Sequence, residues 1–184
     1  MSKFNEETPA LDVVKNIDLK GHNVIVTGAS SGIGIETVRA LAQAGASCII
    51  CARDLVKAKE VRDDIVKTTG NTNVFIEKLD LDSLQSINSF VKRFIEKKIA
   101  LHILINNAGV MGCPKSKTSE GFETQFGTNH LGHFALTLGL LTALKQGAKE
   151  MGGKKNARVI NLSSSAHAMA NIDFDDVNFE KVKL

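Results

Sequence analysis

Thr27-Gly28-Ala29-Ser30-Ser31-Gly32-Ile33-Gly34 stands between an apolar run that ends at Val26 and a run of helix formers that continues to Ala44. Glycine lets backbone approach an anion closely. A helix beginning near Gly32 aims its unpaired N–H groups and the positive end of its dipole at that anion. Ser30 and Ser31 add hydroxyl donors. The glycines are separated by three residues and then by one, in the order strand, turn, helix, and no lysine of the nucleotide-hydrolase kind follows. That context favours a dinucleotide pyrophosphate site over the plainer reading of a glycine-rich strand connection.

Outward from the turn, residues 23–26, 46–51, 73–79, 101–105 and 158–162 read as strands. Each is apolar nearly throughout, as expected where both sheet faces are covered. Helices are predicted between them. Residues 32–44 close on Gly45, and residues 54–67 open on Asp54, a good N-cap, and end near Gly70. In residues 83–98, Leu84, Ile87, Val91, Phe94 and Ile95 recur at helical steps and form one buried stripe, and residues 131–148 are long and apolar enough to cover the sheet. The alternation sets the class as α/β, a parallel sheet flanked by helices. Residues 1–20 form a polar lead-in, residues 21–184 one domain, and residues 149–156 a low-complexity loop.

With 43% apolar residues in 184, the chain can bury a core without disulfides or structural metal. A net charge of +3, its lysines and arginines scattered among acids, argues against nucleic acid as the main partner and for a small molecule. The opening residues are polar and no apolar stretch approaches the roughly 20 residues of a membrane span, so the expected location is cytoplasmic, with membrane contact at most peripheral. Cys48 and Cys51 make a Cys-x-x-Cys within a strand, where residues three apart face opposite sides, which speaks against a redox pair. His130 and His133 have no carboxylate or cysteine set beside them, and no metal is expected.

About 20 residues beyond such a turn lies the side chain that reads the adenosine ribose, an acid for a free hydroxyl or an arginine for a phosphate. Here the second strand ends in Cys51-Ala52-Arg53-Asp54. Ala52 carries no charge to repel a phosphate and Arg53 offers a bidentate fork, which favours NADP over NAD. The alternative has Asp54 on the ribose and Arg53 in solvent. Asp80, ending the third strand, serves the adenine amino group or caps the helix near Ser83.

TGASSGIG, Asn106-Asn107-Ala108-Gly109, the run Asn129-His130-Leu131-Gly132-His133-Phe134 and Asn161-Leu162-Ser163-Ser164 together resemble the short-chain dehydrogenase/reductase family. NNAGVMGCP and NHLGHF are most similar to its retinol dehydrogenase and WW-domain oxidoreductase branch, from about Ile17 to the last residue. The resemblance implies a Rossmann-like doubly wound sheet in the order 3-2-1-4-5-6-7, with about five of the seven strands present. It implies that Gly28, Ser31 and Ile33 line the pyrophosphate, with Ser30, Gly32 and Gly34 in the same turn. Asp80 and Leu81 would flank adenine, and Asn107, Ala108 and Gly109 would lie beneath the cofactor. Asn129 matches the asparagine that kinks its helix and holds a relay water, and Ser164 the serine that hydrogen-bonds the reacting oxygen.

Plainer readings stand beside these. Asn106 to Gly109 could be a tight strand exit, Asn129 a polar helix residue, the serines from Ser163 to Ser165 a turn, and Met111 and Cys113 core filling instead of cleft lining. By analogy, the helix after Asn129 forms a homodimer interface.

The family's proton donor is a tyrosine followed four residues later by a lysine, and the sequence has no tyrosine. The expectation is a C-terminally truncated NADP-dependent oxidoreductase of an alcohol or carbonyl, retinoid, steroid or aldehyde-like. Such a fragment would turn over negligibly and, with an open edge at the fifth strand, dissolve poorly by itself. The alternative is a non-catalytic dinucleotide-binding module or short isoform.

Overall fold

The five apolar runs form strands β1 (Asn23–Thr27), β2 (Ser47–Ala52), β3 (Val74–Lys78), β4 (Ile103–Asn106) and β5 (Arg158–Asn161). The computed structural model describes residues 4–151 and 157–181. All pairings are parallel, in the order β3-β2-β1-β4-β5, so the winding reverses between β1 and β4. Ile25 of β1 lies level with Ile49 on one side and Leu104 on the other. In an open α/β sheet this reversal leaves a crevice at the carboxyl ends of the strands.

Alternation along β1 and β2 builds a core on each sheet face. Val24, Val26, Cys48 and Ile50 pack with Val38 and Ala42 of α2 (Ile33–Gln43) and with Ala58 and Ile65 of α3 (Leu55–Thr69). On the other face Ile25, Ile49, Cys51 and Leu104 meet Ile87, Phe90 and Phe94 of α4 (Leu84–Glu96). Leu136 of α6 (His133–Gly139) and Leu144 of α7 (Leu141–Glu150) complete that layer. Cys48 and Cys51 therefore lie on opposite faces, as strand geometry predicts. Burial pushes both thiols up, Cys48 to about 12, and leaves them protonated and unreactive.

Local chemistry sets the helix starts. Asp54 accepts from the Val56 and Lys57 N–H groups at 2.9 and 3.1 Å, so it is the N-cap of α3. Ser83 accepts from the Ser86 N–H at 3.2 Å and caps α4, a role that Asp80 does not take.

Three expectations are corrected. Strands buried on both faces describe β1, β2 and β4 but not the edges: Phe75 of β3 is 50% exposed and every residue of β5 is exposed. Each edge strand has one paired neighbour among the described residues and less cover. The single helix over 131–148 is instead a π-helical turn (Gly127–Gly132) followed by α6 and α7, broken at Leu140. Leu136, Leu140, Ala143 and Leu144 keep one apolar stripe through the break, so periodicity cannot register it. The polar lead-in contains a short helix, α1 (Ala10–Val14), packed on α2. A further turn, α5 (Thr124–Phe126), precedes the π-turn. The predicted loop at 149–156 lies mostly outside the described residues. No described helix is long and apolar enough to cross a membrane.

Candidate functional site

A cleft of about 410 Å³ opens where the winding reverses, walled by the Gly28 to Ile33 turn, the ends of β2 and β3 and the exit of β4. Every cofactor residue predicted from sequence lines it except Gly34. Gly34 packs behind the turn instead: a Cβ there would fall 2.7 Å from Asn107 Nδ2 and 2.8 Å from the Ala29 Cα. Gly32 has φ +58° and open space where a Cβ would stand. No side chain caps the first turn of α2 behind it, so the helix amides remain available to an anion.

The opposite wall is the β4 exit, held to β1 through Thr27. The Thr27 hydroxyl accepts from the Asn107 and Ala108 N–H groups at 2.9 and 3.0 Å, and Asn107 Nδ2 donates back to the Thr27 carbonyl at 2.8 Å. Asn107 thus supports the floor through its side chain and presents backbone to the cleft. Asn106 points the other way, donating to Asn161 Oδ1 at 2.7 Å and to Thr137 Oγ1 at 3.0 Å, which ties β4 to β5 and α6.

Asn129 sits within the π-turn, a helix irregularity that recurs at functional sites. Its side chain clamps the loop beyond β4 at two points: Oδ1 accepts from the Val110 N–H at 2.8 Å and Nδ2 donates to the Val110 carbonyl at 2.8 Å. Val110 in turn lines the cleft.

Arg53 reaches the cleft mouth with its side chain 59% exposed, and Nη1 lies 3.3 Å from Asp82 Oδ2. Asp82 also accepts from the Thr128 hydroxyl. Asp80 lines the cleft while its Oδ1 accepts from the Asp82 N–H at 3.1 Å, closing a local turn. Leu81 is buried beside it.

Ser164 lies outside the cleft lining, two residues past Leu162, which belongs to it. Its hydroxyl accepts from the Ala166 N–H at 3.1 Å and opens a short 3₁₀ turn (Ser165–Ala168). Met111 is 89% exposed, so it fills no core. His130 and His133 do not share a site. The exposed His130 ring stacks with Phe126 and Phe134, whereas His133 is buried with Nε2 2.9 Å from the Thr27 hydroxyl. No group of three ligands able to hold a metal ion occurs among the described residues.

Thr27, Asp82 and Thr128 are polar lining residues that sequence reasoning missed, and His133 lies buried behind Thr27. Thr27 opens the quoted turn, yet its partners Asn107 and Ala108 come about 80 residues later, and no local signal points to them.

The family model of the short chain dehydrogenases matches residues 22–175. The chain belongs to the short-chain dehydrogenase family. Mouse retinol dehydrogenase 12 is 49% identical over 166 residues, covering 90% of this chain and 50% of that protein. Human retinol dehydrogenase 11 is 47% identical over 165 residues, again covering 90% and 50%. These matches place this short-chain dehydrogenase in the retinol dehydrogenase branch, and the chain spans about half the length of the curated relatives it matches. Among solved structures, the NADP active-site complex of RhlG from Pseudomonas aeruginosa aligns with a TM-score of 0.69 at 29% identity, over 91% of this chain and 60% of that one. The family is one of oxidoreductases that use a nicotinamide dinucleotide.

Stability should depend on pH through two buried histidines. Burial pushes the His102 and His133 rings below the ordinary range; His22 adds to the effect at His102 while Glu150 opposes it, and at His133 the Asn129 carbonyl opposes it while His130 adds to it. The unfolded chain takes up protons near pH 6.5 that the folded one refuses. The stabilising contribution is therefore complete above about 6.5 and declines as pH falls below it, by at most ~1.4 kcal/mol per pH unit for each ring. Melting followed by circular dichroism should show Tm falling from pH 7.5 towards pH 5.5, and a flat or rising Tm contradicts this account.

Proposed function

We propose that this chain is the cofactor-binding part of an NADP-preferring oxidoreductase acting on an alcohol or carbonyl of the retinoid, steroid or aldehyde-like kind. One observation carries the reading: the uncapped start of α2 behind Gly32 faces the same cleft as the Arg53 fork. A pyrophosphate suits the first and a ribose phosphate the second. The NADP complex of RhlG and the retinol dehydrogenase relatives support it.

The bound dinucleotide would supply or take up a hydride. This chain's residues bind and position it. The amides from Gly28 to Ile33 hold the diphosphate, Asp80 and Leu81 border adenine, and Asn107 to Gly109 form the floor. The Asn129 clamp on Val110 fixes the loop above that floor, and Ser164, two residues past the cleft-lining Leu162, is the position that would donate to the substrate oxygen. No tyrosine is available among the 184 residues to deliver the proton, so negligible turnover is expected from this polypeptide. A second reading is a non-catalytic dinucleotide-binding module. A longer product of the same gene that reduces a carbonyl with NADPH decides between the two.

On α6 and α7, Phe134, Leu138 and Leu141 form an exposed apolar stripe that supports a homodimer. The proposed setting is cytoplasmic, with membrane contact at most peripheral.

Calorimetry with NADPH and NADH tests the cofactor reading. Arg53→Ala should weaken NADPH by roughly 10- to 100-fold, the worth of about 1.5–3 kcal/mol for hydrogen bonds to a charged group, and leave NADH unchanged. Equal losses for both would remove Arg53 from the phosphate site, and absence of heat from either coenzyme with the unaltered chain would end the proposal.

A further inference from the structure

The Thr27 hydroxyl has four polar atoms around it and only one proton and two lone pairs with which to answer them. The Ala108 N–H at 3.0 Å and the Asn107 N–H at 2.9 Å, the latter shared with the Ile105 carbonyl at 3.1 Å, take the lone pairs. The proton goes to the nearer of two acceptors: His133 Nε2 lies at 2.9 Å and the Ile105 carbonyl at 3.4 Å. Nε2 therefore carries no hydrogen. The other ring nitrogen, Nδ1, stands 3.0 Å from the Asn129 carbonyl oxygen, which can only accept, so Nδ1 bears the hydrogen. The opposite tautomer would aim a second N–H at a hydroxyl whose lone pairs are filled and a lone pair at a carbonyl.

The π-turn makes this arrangement available. The His133 backbone N–H bonds to the His130 carbonyl and not to the Asn129 carbonyl that its ring contacts. With His133 only 6% exposed, bulk water cannot readily replace either contact. One imidazole thus joins the floor of the cleft to the residue whose side chain clamps Val110.

We propose that His133 is a positioning residue, a neutral Nδ1–H imidazole that bridges the Thr27 hydroxyl and the Asn129 carbonyl and holds the β4 exit in register with the Asn129 clamp for the bound dinucleotide. The proposal rests on the cofactor reading above, although the bridge itself is measurable without cofactor. A histidine that merely fills space would set neither a tautomer nor the protection of amides on another element.

The test uses the ¹⁵N-labelled 184-residue chain, His133→Phe, which removes both bonds and keeps a ring, and His133→Gln, whose amide oxygen can still accept from Thr27. Long-range ¹H–¹⁵N spectra of the unaltered chain at pH 7 should show a neutral ring protonated on Nδ1. In His133→Phe the Asn107 and Ala108 amides should exchange at least about tenfold faster while those of Ile25 and Ile49 do not change, and NADPH should bind about tenfold more weakly. His133→Gln should recover part of both effects. An Nε2–H or charged ring, unchanged exchange at the two amides, or unaltered NADPH affinity in folded His133→Phe overturns the proposal. Should that variant not fold, Thr27→Val replaces it: the Nε2 resonance of His133 must move, and a stationary one is equally fatal. If the unaltered chain binds no NADPH while tautomer and exchange are as stated, the cofactor reading falls and the bridge stands.

Discussion

Gly28→Ala will melt about 10 °C below the unaltered chain and bind NADPH at least about 100-fold more weakly. Gly28 has φ +65°, and a Cβ built on it would lie 2.7 Å from the Ala108 Cα and 2.8 Å from its Cβ. The left-handed conformation costs an ordinary residue about 1–2 kcal/mol. Relief of the overlap must come from moving the β4 exit or the turn, about 1–3 kcal/mol more. Neither wall can give cheaply, since the Ala108 N–H is held by Thr27 and the Gly28 N–H by the Cys51 carbonyl at 3.0 Å. Whichever wall moves, the turn amides that the cofactor reading assigns to the diphosphate lose their aim. Scanning fluorimetry and calorimetry measure the two effects, and a variant that melts within about 2 °C of the unaltered chain shows the contact to be slack.

Phe90→Ala should be as damaging to stability and nearly silent in binding. Phe90 is 1% exposed, packs beside Phe94 with ring centroids 6.3 Å apart, and belongs to the layer that α4 lays on Ile25 and Leu104. Truncation leaves a cavity in a layer that relaxes only partly and costs about 3–5 kcal/mol. The residue lies away from the cleft lining. Chemical denaturation should therefore show a lower midpoint at unchanged slope, with NADPH affinity of the folded fraction within about twofold of the original. An affinity loss as large as that of Gly28→Ala would mean that α4 governs the shape of the site.

These two outcomes separate what each kind of residue does. Val24, Ile25 and Ile50 announce strands by composition, and Asp54 announces a helix start by its place before a helical run; the structure bears out both. The turn from Thr27 to Gly34 is equally plain, because its glycines and the helix start behind them are adjacent in sequence. The choice at Asp80 between adenine wall and helix cap could not be made from sequence, since it depended on whether Ser83 would take the cap. The extent of strand burial failed at β3 and β5 because edge position is set by neighbours, not by the run itself.

What the amino-acid order determined by itself is the α/β alternation, with the parallel sheet it implies, and the glycine-lined turn, all written in residue patterns that span one element or one turn. Only the tertiary structure decided that Thr27 answers Asn107 and Ala108, that Asp82 meets both Arg53 and Thr128, and that His133 closes on Thr27 across 106 positions. Hydrogen bonds between distant segments depend on which ends the winding brings together. Periodicity records which face of an element is covered and carries no record of the partner that covers it.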